Sequence, residues 1–282
     1  MKKGLVLEGG AMRGLFTCGV IDVLMENGID FDGAVGVSAG ACFGVNYKSR
    51  QEGRALRYNL KYSGNWRYKS FRSLILTGDM FGADFCYHEL PEKLDYFDVE
   101  TFEKDPMEFY VVATDLNSGK AVYKKLTNGR DNDLEWIRAS ASMPVASRVV
   151  KLDGYDLLDG GIADSIPLEF MEKSGFERNV VILTQPDGYT KKPYTNMMTM
   201  FKASLHKYPN AVEALRIRHN MYNLELEHIN ASELNGTAFV IRPPEALNIG
   251  SLEKSESEIM RVYNIGCEEA QKALPKLKEF LV

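Results

Sequence analysis

Apolar residues fall along this chain in two alternating patterns, short unbroken runs and longer stretches with helical spacing. Unbroken runs at 4–8, 33–37, 108–114, 179–184 and 237–242 read as buried strands. Periodic stretches at about 13–27, 39–62, 132–141, 164–174, 195–231 and 255–281 read as helices. Phe109-Tyr110-Val111-Val112-Ala113-Thr114 and Val180-Val181-Ile182-Leu183-Thr184 are β-rich without polar alternation, as strands covered on both faces are. Strands alternating with helices predict an α/β fold with a mostly parallel central sheet. Phe239-Val240-Ile241 reads as one more strand of the same kind. Residues 1–282 are therefore expected to form a single domain, with an extension from about 190 to 282 packed on the same sheet.

Three punctuations between these elements carry chemistry. The strand ending at Val37 runs into Gly36-Val37-Ser38-Ala39-Gly40 and then into a helix. A serine between two glycines at a strand-to-helix corner is a nucleophile elbow, in which a tight turn brings strand and helix so close that a Cβ would clash. The corner sets Ser38 Oγ at a helix N-terminus, where partial positive charge favours an alkoxide. The first strand ends at Glu8-Gly9-Gly10-Ala11-Met12-Arg13-Gly14. Adjacent glycines there expose backbone N–H groups, and Arg13 adds positive potential, which suits an oxyanion hole. A dinucleotide-binding turn is the rival, but Ala11 stands where G-x-G-x-x-G needs its second glycine. The third punctuation, Asp159-Gly160-Gly161, lies far downstream after the strand-like Tyr155-Asp156-Leu157-Leu158. Alone it is most simply a turn from which a carboxylate projects.

Together these segments resemble the patatin-like phospholipase family. The match runs over about residues 4–185 and includes a fourth segment, Arg138-Ala139-Ser140-Ala141-Ser142-Met143-Pro144, similar to the R-A-S-x-A-x-P run that precedes the family's aspartate. One departure is Ala11, where many members carry a third consecutive glycine. The resemblance implies a three-layer α/β/α fold and a serine esterase acting on phospholipids, lysophospholipids or related acyl esters. It implies a dyad of Ser38 as nucleophile and Asp159 as proton acceptor, with Gly9, Gly10, Ala11, Arg13 and Gly14 forming the oxyanion loop. No metal or organic cofactor is expected. The four histidines, His88, His206, His219 and His228, adjoin none of the motifs. Two other readings keep the fold. One is an acyl-carrier-protein transacylase, which usually has histidine where Val37 stands; the other is a non-catalytic lipid- or nucleotide-binding protein, which intact Ser38 and Asp159 disfavour.

Composition narrows the setting. The formal charge is −5, so the chain as a whole makes no case for nucleic acid as a partner. No run approaches the 18 or so apolar residues of a membrane span, and Glu8 and Arg13 interrupt what would be a signal-peptide core after Met1-Lys2-Lys3. Cys18, Cys42, Cys86 and Cys267 are scattered without C-x-x-C, as reduced thiols of a cytoplasmic protein are. Residues 53–78 carry Arg54, Arg57, Lys61, Arg67, Lys69 and Arg72 with no acidic side chain, interleaved with Tyr58, Tyr62, Trp66, Tyr68 and Phe71. That mixture suits peripheral contact with an anionic membrane, or equally a solvated face with its aromatics turned inward. Asn196-Met197-Met198-Thr199-Met200-Phe201 reads as core packing or as the lining of an acyl groove.

Overall fold

The computed structural model describes residues 1–282. One sheet holds eight strands: β1 Lys3–Leu7, β2 Gly33–Val37, β3 Glu108–Asp115, β4 Lys120–Leu126, β5 Val150–Leu152, β6 Tyr155–Asp159, β7 Arg178–Ile182 and β8 Ala238–Ile241. The strands β3, β2, β1, β7 and β8 lie side by side and run parallel. β4 and β6 pair antiparallel with β3, and β5 antiparallel with β6.

The helices are α1 Gly14–Glu26, α2 Ala39–Lys48, α3 Arg54–Tyr62, α4 Phe71–Thr77, α5 Val99–Lys104, α6 Asp131–Ser140, α7 Leu168–Lys173, α8 Met198–Ser204, α9 Pro209–Leu234 and α10 Glu256–Phe280. A π-helical segment spans Phe85–Leu94. Alternation along the strands divides their side chains between two cores. Leu5, Leu7, Val111, Val180 and Ile182 join the core that α1, α2, α6 and α10 cover, while Val6, Val37, Val112 and Val181 join the one under α7 and α9. The result is three layers, α/β/α.

The register around β3 positions the chemistry. A strand has two edges, and β4 occupies one of them from Phe109 to Asp115. The other edge is shared end to end: β2 pairs with Glu108 to Val112, and β6 with Ala113 to Asp115. Val37 lies opposite Val112 and Asp159 opposite Ala113, so β6 arrives, running the other way, where β2 stops.

Several expected elements are cut differently. The single helix expected over 39–62 is two, because the chain turns at Arg50 and Gly53, both in the left-handed region. That over 195–231 divides at Pro209, which has no N–H to donate and instead begins α9. The helix expected over 164–174 starts only after Pro167. β4 was not legible because its lysines, Lys120, Lys124 and Lys125, break the apolar run; they sit on an edge strand, where charge discourages further pairing.

The basic segment 53–78 is partly folded inward. Arg54 is buried, donating to Asn46 Oδ1 at 2.9 Å and to the Asp95 carbonyl at 2.6 Å. Arg57 clasps the Asp95 carboxylate with two bonds of 2.8 Å. Lys69 is fully buried with Nζ 3.2 Å from Met12 Sδ, and burial pulls its pKa down to about 8. Arg54 and Lys69 therefore do not face solvent as a docking surface would require, and Arg57, though half exposed, is paired with Asp95. What α4 exposes is apolar: Phe71, Ile75 and Leu76 are 65%, 82% and 60% exposed beside Arg72, whose guanidinium lies 4.5 Å from the Trp66 ring centre.

α10 crosses α1 at two glycines. A Cβ on Gly19 would press on the Tyr263 carbonyl, and one on Gly266 on the Phe16 carbonyl. Gly266→Ala should therefore destabilise the protein by about 1–3 kcal/mol in urea unfolding, although alanine is the better helix former by about 1 kcal/mol. Gly250→Ala, with nothing within 4 Å of the added carbon, should change stability by under about 0.5 kcal/mol.

Candidate active site

Ser38 has φ 54° and ψ −119°, a strained conformation for a residue with a side chain. The flanking glycines allow it. A Cβ on Gly36 would lie 2.6 Å from the Gly40 carbonyl oxygen, and one on Gly40 would collide with the Leu7 carbonyl at the end of β1. The Ser38 N–H donates to Ser140 Oγ at 2.9 Å, and the Ser38 carbonyl accepts from Ala41 and Cys42, starting α2. The hydroxyl is thus free to project from the corner.

Asp159 ends β6 and is buried. Its N–H donates to the Ser142 carbonyl at 2.8 Å, and its Oδ1 accepts from Gly161 N–H at 2.8 Å. Gly160 must be glycine, since a Cβ would strike the Val112 carbonyl of β3. Burial raises the Asp159 pKa, against the Ser38 hydroxyl facing the carboxylate, the Gly161 N–H and the positive charge of Arg218, which all lower it. A carboxylate so held is a stronger base than one in water. The segment 140–142 therefore braces both groups, Ser140 at the Ser38 amide and Ser142 at the Asp159 amide.

The glycine-rich loop abuts Ser38, with a Cβ on Gly9 coming within 2.9 Å of Ser38 Cβ. Its five candidate residues are not equivalent. The N–H groups of Gly9, Gly10 and Ala11 donate to no backbone acceptor. Those of Arg13 and Gly14 are turned back on the Gly10 and Ala11 carbonyls, where they start the helix. Gly14 instead packs against Phe43 and Ala39. Glu8, just before the loop, is buried and accepts from Tyr222 Oη and from Thr184 N–H, both at 2.6 Å.

Two cavities meet at Ser38. The first is apolar, about 120 Å³, and runs between α2, α3 and the π-helical segment past Phe43, Tyr58, Tyr87 and Leu134 to Phe97. The second is polar, about 310 Å³, and lies on the Asp159 side. Lys191, Arg218 and Arg13 line it, with Met197 and Phe201 at one wall, while Met200 is half exposed to solvent. None of the four histidines lines either cavity. His88 and His228 lie beside Glu135 and Glu172, and His206 beside the Ala203 carbonyl.

The patatin-like phospholipase profile matches residues 5–171, more than half of the chain. The chain belongs to the patatin-like phospholipase family. A second profile, a domain of unknown function (DUF6363), matches residues 208–282. An uncharacterized protein of Escherichia coli, YjjU, is 28% identical over 261 residues, which take in 87% of this chain and 66% of that protein. The lysophospholipase NTE1 of Scheffersomyces stipitis is 24% identical over 283 residues, 95% of this chain but 18% of the fungal protein. The chain thus spans under a fifth of the length of that fungal relative. In structure it is similar to VipD from Legionella pneumophila, with a TM-score of 0.50 at 12% identity, covering 98% of this chain and 67% of that one.

The patatin-like core does not complete the site alone. Arg218 of α9 donates to the Gly161 carbonyl and to Tyr194 Oη, and Tyr222 of the same helix holds Glu8. Neither residue carries a local sequence signal; each faces the site only because α9 packs on the sheet face beside the turn Gly160–Ile162. Glu8 was legible in principle, as a carboxylate closing a wholly apolar strand. Ser140 stood inside a recognised motif without an evident task. Ser140→Ala should leave the Ser38 amide unsatisfied, at a cost of about 1–3 kcal/mol. The expected signs are a lower urea midpoint and a lower turnover of any ester the protein cleaves.

Proposed function

We propose that this protein is a serine acyl hydrolase that cleaves carboxylic esters of phospholipids, lysophospholipids or related lipids through Ser38 and Asp159. The observation that carries this reading is the position of Ser38 between an apolar cavity and a polar one, with the buried Asp159 carboxylate beside its hydroxyl. Membership of the patatin-like phospholipase family and the lysophospholipase named among its fungal relatives agree with it. Asp159 accepts the Ser38 proton as Oγ adds to the ester carbonyl. The oxyanion then faces the N–H groups of Gly9, Gly10 and Ala11, each such donor contributing roughly 2.7–4 kcal/mol. Asp159 returns the proton to the departing alcohol, leaving an acyl-enzyme that a water molecule, deprotonated by Asp159, hydrolyses to the fatty acid.

Ser38→Ala should lower kcat by at least about 10⁴-fold with the fold retained. Asp159→Asn should lower it by about 10²–10⁴-fold. Because Asp159 must be ionised to accept the proton, kcat/KM should fall as pH drops through its raised pKa, placing the acid limb above the ordinary aspartate value of about 3.9. A His88, His206, His219 or His228 to Ala change that matched the loss in Asp159→Asn would overturn the dyad.

The membrane-facing element of this reading is α4. Phe71, Ile75 and Leu76 form an exposed apolar face flanked by Arg72, suited to shallow insertion beneath anionic headgroups. No helix is long and apolar enough to cross a membrane. Ile75→Asp with Leu76→Asp should cut hydrolysis of lipid in anionic vesicles about tenfold or more, because two buried apolar side chains are worth roughly 3 kcal/mol or more. Turnover of a short water-soluble ester should stay within about twofold. Equal losses on both substrates would remove the docking role.

A further inference from the structure

The polar cavity carries more positive charge than the proposed hydrolysis consumes. Lys191 is half-buried at its wall, with Nζ 4.1 Å from the Tyr222 ring centre and 5.8 Å from that of Tyr189. It forms no ion pair. Burial lowers its pKa to about 8, with the charges of Arg218 and Arg13 acting the same way and the carboxylates of Glu8 and Glu225 opposing them. Arg13, on the rim beside the glycine loop, has a buried Nε with no hydrogen-bond partner. Arg218 donates to the Gly161 carbonyl and Tyr194 Oη and, through a long bond of 3.4 Å, to Ser165 Oγ.

The carboxylates around the cavity do not balance these cations. Its lining holds two carboxylates, Asp159 and Glu8, the latter hydrogen-bonded by Tyr222 and Thr184, against three cations. Asp159 faces Ser38. Burial and the neighbouring Asp164 raise the Glu225 pKa. Lys191 is placed deliberately: its own N–H donates to Asn223 Oδ1 at 2.8 Å and its carbonyl accepts from Asn223 Nδ2 at 3.1 Å, so α9 clamps the loop that carries it. In this partly desolvated chamber the cations outnumber the lining carboxylates by one, and an anion entering it offsets that excess.

We propose that this chamber is a subsite for the phosphodiester anion of a lysophospholipid headgroup, held by Lys191, Arg218 and Arg13. The proposal rests on the esterase reading above and deepens it. An acyl chain in the apolar cavity sets the ester at Ser38 and leaves the glycerol phosphate on the opposite side, in the polar cavity. A phosphodiester carries one negative charge at every physiological pH, and its two unesterified oxygens suit guanidinium and ammonium donors. Lys191, Arg218 and Tyr222 lie outside residues 5–171, and the last two fall within 208–282. The segment of unknown function would then read the headgroup while the patatin-like core cleaves the ester.

The test measures binding separately from turnover. Full-length Ser38→Ala protein is titrated with hexanoyl lysophosphatidylglycerol and with monohexanoylglycerol, both monomeric in water, and with inorganic phosphate. The phosphodiester lipid should bind at least about tenfold more tightly than the neutral one, the scale of one charge-assisted contact. Adding Lys191→Met should erase most of that preference, and Lys191→Arg should restore it. In protein with Ser38 intact, Lys191→Met should lower the ratio of kcat/KM for the same two lipids by a similar factor, chiefly through KM. Equal binding of the two lipids, or a preference that Lys191→Met leaves within twofold, overturns the proposal. Binding of inorganic phosphate without preference for the phosphodiester lipid assigns the chamber to free phosphate and overturns the headgroup role. If the preference holds but the Ser38 protein cleaves neither lipid, the subsite stands and the esterase reading falls.

Discussion

The shared edge of β3 is the constraint from which the site follows. Because β4 occupies one edge throughout, β2 and β6 must lie end to end along the other, one parallel and one antiparallel. The two strands therefore deliver their last residues to the same place from opposite directions. Ser38 follows β2 and Asp159 closes β6, and neither needs a long loop to reach the other. Backbone hydrogen bonds of the sheet fix this separation, so the side chains meet on a rigid frame.

Around that frame the glycines act by absence of a side chain. Gly40 lets α2 descend onto the end of β1, Gly160 lets the aspartate turn lie on β3, and Gly9 lets the loop approach the serine. Ser38 itself takes strain in its backbone, and it does so where the Ser140 hydroxyl and the first turn of α2 hold it from both sides. α9 closes the arrangement from the other layer, touching the aspartate turn through Arg218 and the glycine loop through Tyr222.

Much of this was legible in the linear sequence, for physical reasons. Unbroken apolar runs marked β1, β2, β3, β7 and β8, since a buried parallel strand has no polar face to interrupt it. The Gly-x-Ser-x-Gly corner was legible because few residues tolerate such a turn. β4 was not, because an edge strand carries lysines. The breaks at Gly53 and Pro209 depended on where the chain had to turn, which periodicity does not record. The basic run at 53–78 misled in part: Arg54 and Lys69 serve interior partners that lie far away in sequence, such as Asp95 and Met12. Within the glycine-rich loop, composition could not separate residues that donate outward from Arg13 and Gly14, whose amides belong to the helix that follows.

The crossing of α1 and α10 bears on how the chain reaches this state. Tyr263 donates to the Asp22 carboxylate, 241 positions away in sequence, and each helix's glycine meets the backbone of the other helix. α1 is apolar on nearly every side, buried from Gly14 to Leu24. Until α10 has been synthesised and docked, one flank of that helix faces water. Such distant contacts form late and slow folding, and they leave an exposed apolar helix as the species that chaperones would meet during synthesis.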